Sequence, residues 1–161
     1  MSTTATLTGD DNYFEDFAAG DRMRHARGCT VDEVENQMLT KLVMNSADGH
    51  FNAEKFPGGG PFPNQLVFGL LTGSTVIGLA TQDTAEQALA ETGLDKLRFT
   101  SPVVPGDTLT AYSEVLEVRD ADREDAGVVR FKHWGLKQDD TVVFEGEREV
   151  LIKRRSHWAE R

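Results

Sequence analysis

Cysteine is nearly absent from this chain of 161 residues, where Cys29 is the single thiol. One thiol excludes an internal disulfide and, by itself, a structural zinc site, so nothing in the sequence calls for an oxidising compartment. Lysine is scarce as well: 6 Lys stand beside 11 Arg, and these 17 basic residues are outnumbered by 27 acidic ones, for a net charge of −10. That balance disfavours nonspecific binding to nucleic acid or to an anionic membrane, both of which need clustered positive charge. An acidic, lysine-poor surface also suits a halophilic source. Long apolar runs are missing too. The most apolar segment, residues 66–80, is interrupted by Thr72, Gly73, Ser74, Thr75 and Gly78 and falls short of the roughly 20 residues that cross a bilayer. The first eleven residues hold neither a basic start nor an apolar stretch, so no export signal is read and a cytoplasmic location is expected. Without HxH or HExxH spacing, no metal centre is expected.

What is present fits one domain. Residues 1–11 read as a disordered leader, 12–155 as the domain and 156–161 as a tail. Tyr13, Phe14 and Phe17 are expected to anchor the start of the ordered chain, followed by a short strand from Met23 to Cys29. Thr30 with Glu33 has the spacing of a capping box, and Val31, Val34, Met38, Leu42 and Val43 follow at helical intervals. These predict a helix of about 14 residues with an apolar stripe. Residues 45–64 form a long loop rich in Gly, Pro, Asn and Asp, a kind that in compact domains is usually functional or mobile. Residues 65–81 are apolar on nearly every side, which predicts a helix surrounded by protein. Gly69 and Gly73 offer a strip of its backbone for close approach. The second half changes period: 94–99, 107–119, 127–138 and 141–154 read as strands, the last two as a hairpin. Strand, helices and then antiparallel strands without intervening helix give an α+β fold, a sheet packed around the apolar helix.

The long loop also gathers the most reactive side chains, Asn45, Asp48, His50 and Asn52. An imidazole such as that of His50 suits acid–base work, while the amides suit holding a water or a carbonyl. On residue type alone, a polar loop whose Asn and Asp make turns remains open. His25 and His133 lie in strands and His157 in the tail, as packed or surface side chains. Cys29 reads as a buried thiol and Ser74 as a helix-packing residue.

Taken together, the run YFEDFAAGD, the loop MNSADGHFN, the helix opening LVFGLL and the later SPVVPGDTL resemble the MaoC-like dehydratases, which include the (R)-specific enoyl-CoA hydratases. The resemblance runs from about Tyr13 to Arg154. It implies a single hotdog domain, in which an antiparallel sheet wraps around a central helix. It also implies reversible addition of water across the double bond of an enoyl-CoA thioester, with no separate cofactor because CoA is part of the substrate. The family's catalytic His aligns with His50. The Asp five residues before it is replaced by Asn45, which cannot exchange a proton as a carboxylate does. The sequence MNSADGHF is similar to a branch acting on small dicarboxylic acyl-CoAs such as mesaconyl- or itaconyl-CoA. The family's oxyanion donor, a glycine amide at the start of the central helix, matches Gly69; close helix packing is an equally open role for it. Asp48, Phe51, Asn52 and Phe68 flank these positions as substrate-binding candidates. Lys153, Arg154 and Arg155 form the densest basic cluster, read either toward the CoA phosphates or as a solvated tail. The resemblance further implies a homodimer or a multiple of dimers. Two other functions on the same fold stay open: a thioesterase, for which Asp48 is the candidate water-activating group, and a noncatalytic acyl-CoA-binding subunit.

Overall fold

The computed structural model describes residues 3–4, 12–55, 62 and 65–159. Its elements are strand β1 (Thr3–Thr4), β2 (Arg22–Thr30), helix α1 (Glu33–Leu42), α2 (Gly69–Ala85), β3 (Ala88–Phe99), β4 (Thr108–Ala121), β5 (Arg123–Leu136), β6 (Val142–Lys153) and a short α3 (Arg155–Trp158). The strands form one sheet in the order β1-β2-β4-β5-β6-β3. Every pair is antiparallel except β1 on β2. Because β2 and β3 lie toward opposite ends of the sheet, α2 must cross the sheet's face to join them, and it touches β2 through β6 on the way. This is the α+β arrangement of a sheet around a helix expected from the sequence.

Alternation builds the concave face. Along β4, Leu109, Ala111, Ser113 and Val115 turn inward at every second position, as the period-2 geometry of a half-buried strand demands. Small residues then let α2 sit low on that face. A Cβ on Gly73 would lie 2.9 Å from the Phe144 ring, and one on Gly135 of β5 would lie 2.3 Å from a Val76 methyl. The first half of α2 closes an apolar cluster with Val31, Val103, Leu109 and Phe144; its end closes a second with Phe14, Phe131, Val150 and Ile152. Tyr13 and Phe14 are buried, and Phe17 meets Phe131 edge-on at 5.2 Å, so all three aromatics anchor the chain as expected.

Several expectations change. Thr30 does not cap the first helix: it ends β2 opposite Thr108, and Asp32 caps instead, pairing with Glu35 in a capping box two residues later. The apolar stripe of α1 faces outward, with Val34 71%, Met38 58% and Leu42 71% exposed. The central helix is not surrounded on all sides, since Leu70, Ser74 and Gly78 form an exposed stripe along it. Ser74 therefore does not pack, and Cys29 is half-buried rather than buried. β3 begins six residues earlier than its apolar core suggested, because pairing with β6 extends back to Ala88. The tail is structured at 156–158 as part of α3, where Trp158 Nε1 donates to the Asp125 carbonyl at 3.1 Å. The basic cluster belongs to the fold: Arg154 pairs with Asp120 and lies over Phe14, Arg155 pairs with Asp16 and lies over Tyr13, and Lys153 lies over Trp158. Within the leader, Thr3 and Thr4 pair with Met23 and Arg24; residues 1–2 and 5–11 lie outside the described residues, as does the segment from Pro57 to Pro63 apart from Phe62.

Candidate active site

The loop after α1 is set by short-range bonds. Asn45 Oδ1 accepts from the Ala47 N–H at 2.9 Å, a local turn of the kind Asn favours, and Asp48–His50 then form one 3-10 turn. The chain leading into α2 runs alongside. Leu66 N donates to the Gly49 carbonyl at 2.9 Å, and His50 Nδ1 lies 3.0 Å from the Leu66 carbonyl. A carbonyl only accepts, so Nδ1 carries the imidazole proton and Nε2 is left with its lone pair. Phe68 meets the His50 ring edge-on at 5.7 Å.

One residue that the sequence did not single out ties this together. Asn36, fully buried on α1, donates to the His50 carbonyl at 3.0 Å and the Leu66 carbonyl at 3.2 Å, and accepts from Phe68 N at 2.8 Å. It fixes both the histidine turn and the approach to α2. Asn36→Ala strands these backbone groups, so we expect a loss of about 2 kcal/mol or more in a denaturant melt together with lowered activity. Asn36→Asp keeps the acceptor for Phe68 N but turns a carboxyl oxygen on both carbonyls in a fully buried site, so it should cost at least as much.

No side chain caps the N-terminus of α2, so its leading N–H groups and the positive end of its dipole face outward. A cavity of about 350 Å³ opens there. His50, Gly69 and Thr72 line it together with Phe99, Ser101, Val103 and Val143. Of the residues singled out from the sequence, His50 and Gly69 are brought together in this cavity. Asn45, Asp48, Phe51, Asn52 and Phe68 are not among its lining residues. Asp48 is bound by Lys55 and by Asn52 Nδ2, and the Lys55 bond foremost holds its carboxyl below the usual carboxylate range. A Cβ on Gly69 would touch the Phe99 ring at 3.3 Å, so close packing and an accessible amide coexist at that position. Thr72 and Phe99 carried no local signal, because only the fold brings them to the loop.

A second polar group lies in the core. His25 Nδ1 contacts Asp83 Oδ2 at 2.6 Å, His25 Nε2 contacts Ser113 Oγ at 2.7 Å, and Ser113 Oγ contacts His133 Nδ1 at 2.7 Å. All four residues are buried. Burial, then the Arg148 cation, push His133 down to about 3, and burial lowers His25 despite Asp83. No group of three or more His, Cys, Asp or Glu suited to a metal ion occurs among the described residues. No helix among them is long and apolar enough to cross a membrane.

Comparison with known proteins adds to this geometry. A family model described as mesaconyl-CoA hydratase matches residues 3–154. Mesaconyl-CoA hydratase of Haloarcula marismortui is 33% identical, over 96% of this chain and 45% of that protein. Beta-methylmalyl-CoA dehydratase of Chloroflexus aurantiacus is 32% identical, over 92% of this chain and 42% of that protein. The chain thus spans less than half the length of these curated relatives. Among solved structures, a MaoC domain protein dehydratase from Chloroflexus aurantiacus superposes with a TM-score of 0.82 at 28% identity, over 89% of this chain and 45% of that one. Rv0216 of Mycobacterium tuberculosis, which has a double hotdog fold, matches with a TM-score of 0.76 at 22% identity, over 92% and 46% of the two chains, and supports the fold alone.

Proposed function

The chain belongs to the mesaconyl-CoA hydratase family, and on that premise we propose that it reversibly adds water across the double bond of an enoyl-CoA thioester whose acyl group is small, branched and dicarboxylic. The observation that carries this reading is the meeting of an imidazole with a free Nε2 lone pair and an uncapped helix N-terminus at Gly69 in one cavity. In the hydration direction, His50 Nε2 takes a proton from water as the oxygen bonds to the β carbon. The electron pair of the double bond moves to the thioester oxygen, where the Gly69 N–H meets the growing charge. The enolate then takes the proton at its α carbon, which returns His50 to its neutral form. Asn45 is not among the lining residues and its side-chain oxygen serves the local turn by accepting from Ala47 N–H, so this reading rests on His50 and Gly69. The thioesterase alternative loses its candidate base, because Asp48 is committed to Lys55 and Asn52.

The same reading extends to assembly. β3 lies at the end of the sheet with Leu94 and Phe99 about half exposed, and α2 shows its exposed stripe of Leu70, Ser74 and Gly78. Unpaired edges of this length invite another strand, so the chain is a homodimer or a multiple of dimers. Incubating the full chain with a panel of enoyl-CoAs tests the chemistry. Loss of the enoyl-thioester absorbance without release of free thiol, strongest for mesaconyl-CoA, is the expected result. Thiol release would replace the hydratase by a thioesterase, and binding without turnover would replace it by a noncatalytic subunit.

A further inference from the structure

We propose that the Thr72 hydroxyl reads the far end of the acyl group by donating a hydrogen bond to its distal carboxylate, an assignment that rests on the hydration of a dicarboxylic enoyl-CoA put forward above. Thr72 is 3% exposed, yet it lines the cavity shared with His50 and Gly69. Its hydroxyl has no hydrogen-bond partner among the described residues. Three of the other four threonines on the two long helices, all but Thr75, behave differently. Thr40, Thr81 and Thr84 each return the hydroxyl to the carbonyl four residues back, at 2.7, 2.8 and 2.7 Å. The carbonyl four residues before Thr72 belongs to Phe68 and receives the backbone N–H groups of Leu71 and Thr72 instead. A hydroxyl with no protein partner that opens on a cavity is free to meet a polar ligand there.

The remaining walls restrict what that ligand atom can meet. Val67, Phe99, Val103 and Val143 are apolar, the hydroxyl of Thr100 donates to the Val142 carbonyl, and Ser101 is the other hydroxyl on the lining, half-buried where Thr72 is buried. No lysine or arginine lines the cavity among the described residues. Gly69 and Thr72 stand three residues apart on one face of α2, about 4.5 Å along its axis, which is roughly the span from the first to the fourth carbon of a four-carbon acyl group. A thioester oxygen held at Gly69 therefore sets a fourth-carbon carboxylate beside Thr72. Both lie in the first turn of α2, where the positive end of the dipole favours an anion even without a cation nearby.

The test compares two saturated thioesters that cannot be hydrated: 2-methylsuccinyl-CoA with its thioester on the methyl-bearing side, and 2-methylbutanoyl-CoA, in which a methyl group replaces the carboxylate. Calorimetry on the full chain gives the ratio of their Kd values, and kcat/KM for mesaconyl-CoA is measured alongside. Thr72→Val, close to isosteric, should cut the preference for the carboxylate about tenfold or more, and Thr72→Ser should keep it within about threefold. A merely structural role would weaken both ligands together and leave the ratio unchanged. The assignment is overturned if Thr72→Val keeps the wild-type ratio, or if the wild type binds the two thioesters equally or neither of them. Hydration of mesaconyl-CoA with a ratio indifferent to Thr72 defeats this assignment alone. A ratio that follows Thr72 without any hydration upholds it and defeats the hydratase reading alone.

Discussion

His50→Asn should lower kcat for hydration by about a thousandfold while the protein keeps its thermal midpoint. The imidazole does two jobs that this substitution separates. Nδ1 donates to the Leu66 carbonyl at 3.0 Å and so holds the 3-10 turn against the approach to α2. In the proposed chemistry Nε2 supplies the lone pair that takes the proton from water. An asparagine amide nitrogen falls near the position of Nδ1 and can keep the bond to Leu66, but it places nothing at the position of Nε2. His50→Ala removes both jobs, so it should lose activity to a similar extent and melt earlier as well. Activity should not vanish entirely, because the Gly69 amide and the positive end of α2 remain. The measurement is steady-state hydration of mesaconyl-CoA beside a thermal melt of each variant. If His50→Asn kept more than about a tenth of wild-type kcat, the proton would be handled elsewhere and the proposed chemistry would fail.

The two residues at the centre of this mechanism were legible in the sequence for different reasons than the fold was. The strands of the second half announce themselves by period, since Leu109, Ala111, Ser113 and Val115 alternate inward. Periodicity identifies a face, however, and not what covers it. Val34, Met38 and Leu42 have helical spacing, yet they point to solvent in the isolated chain. Capping signals can also compete: Thr30 and Glu33 form one candidate pair and Asp32 and Glu35 another. Tertiary pairing decides between them, because Thr30 bonds across the sheet to the Thr108 hydroxyl at 2.7 Å. His50 and Gly69 were found through motifs that resemble a family, whereas Asn36 and Thr72 act through partners that only folding supplies. Sequence does hold one overlooked hint. Asp83 is the lone charged residue between Gln65 and Ala85, and an acid in an otherwise apolar helix needs a buried partner. That partner is His25, 58 residues away.

The buried chain of Asp83, His25, Ser113 and His133 sets the response to acid. His133 is fully buried, its Nδ1 is held by Ser113, and its Nε2 has no partner among the described residues. Burial first, and the Arg148 cation and His25 after it, bring its pKa from 6.5 to about 3. The unfolded chain therefore binds a proton at this site between those two values while the native protein does not, so stability rises with pH across that window and is lost as pH falls below 6.5. His25 is also lowered, by burial against the opposing pull of Asp83, and acts with the same sign. Half-buried carboxyls held low by bonded partners, such as Glu147 with Lys96 and Glu149 with Thr92, add to the loss only as pH falls through and below about 4.5. That leaves a stretch from pH 6.5 to 4.5 in which the histidines act nearly alone. Over those two units His133 by itself should remove about 2–3 kcal/mol, at 1.36 kcal/mol per unit. Urea melts at pH 7.5, 6.0, 5.0 and 4.5 would measure the slope, and His133→Gln, which keeps an amide to meet Ser113 but cannot titrate, should flatten it by close to one proton. A wild-type stability that stays level from pH 7.5 to 4.5 would show that neither histidine is held neutral by the fold.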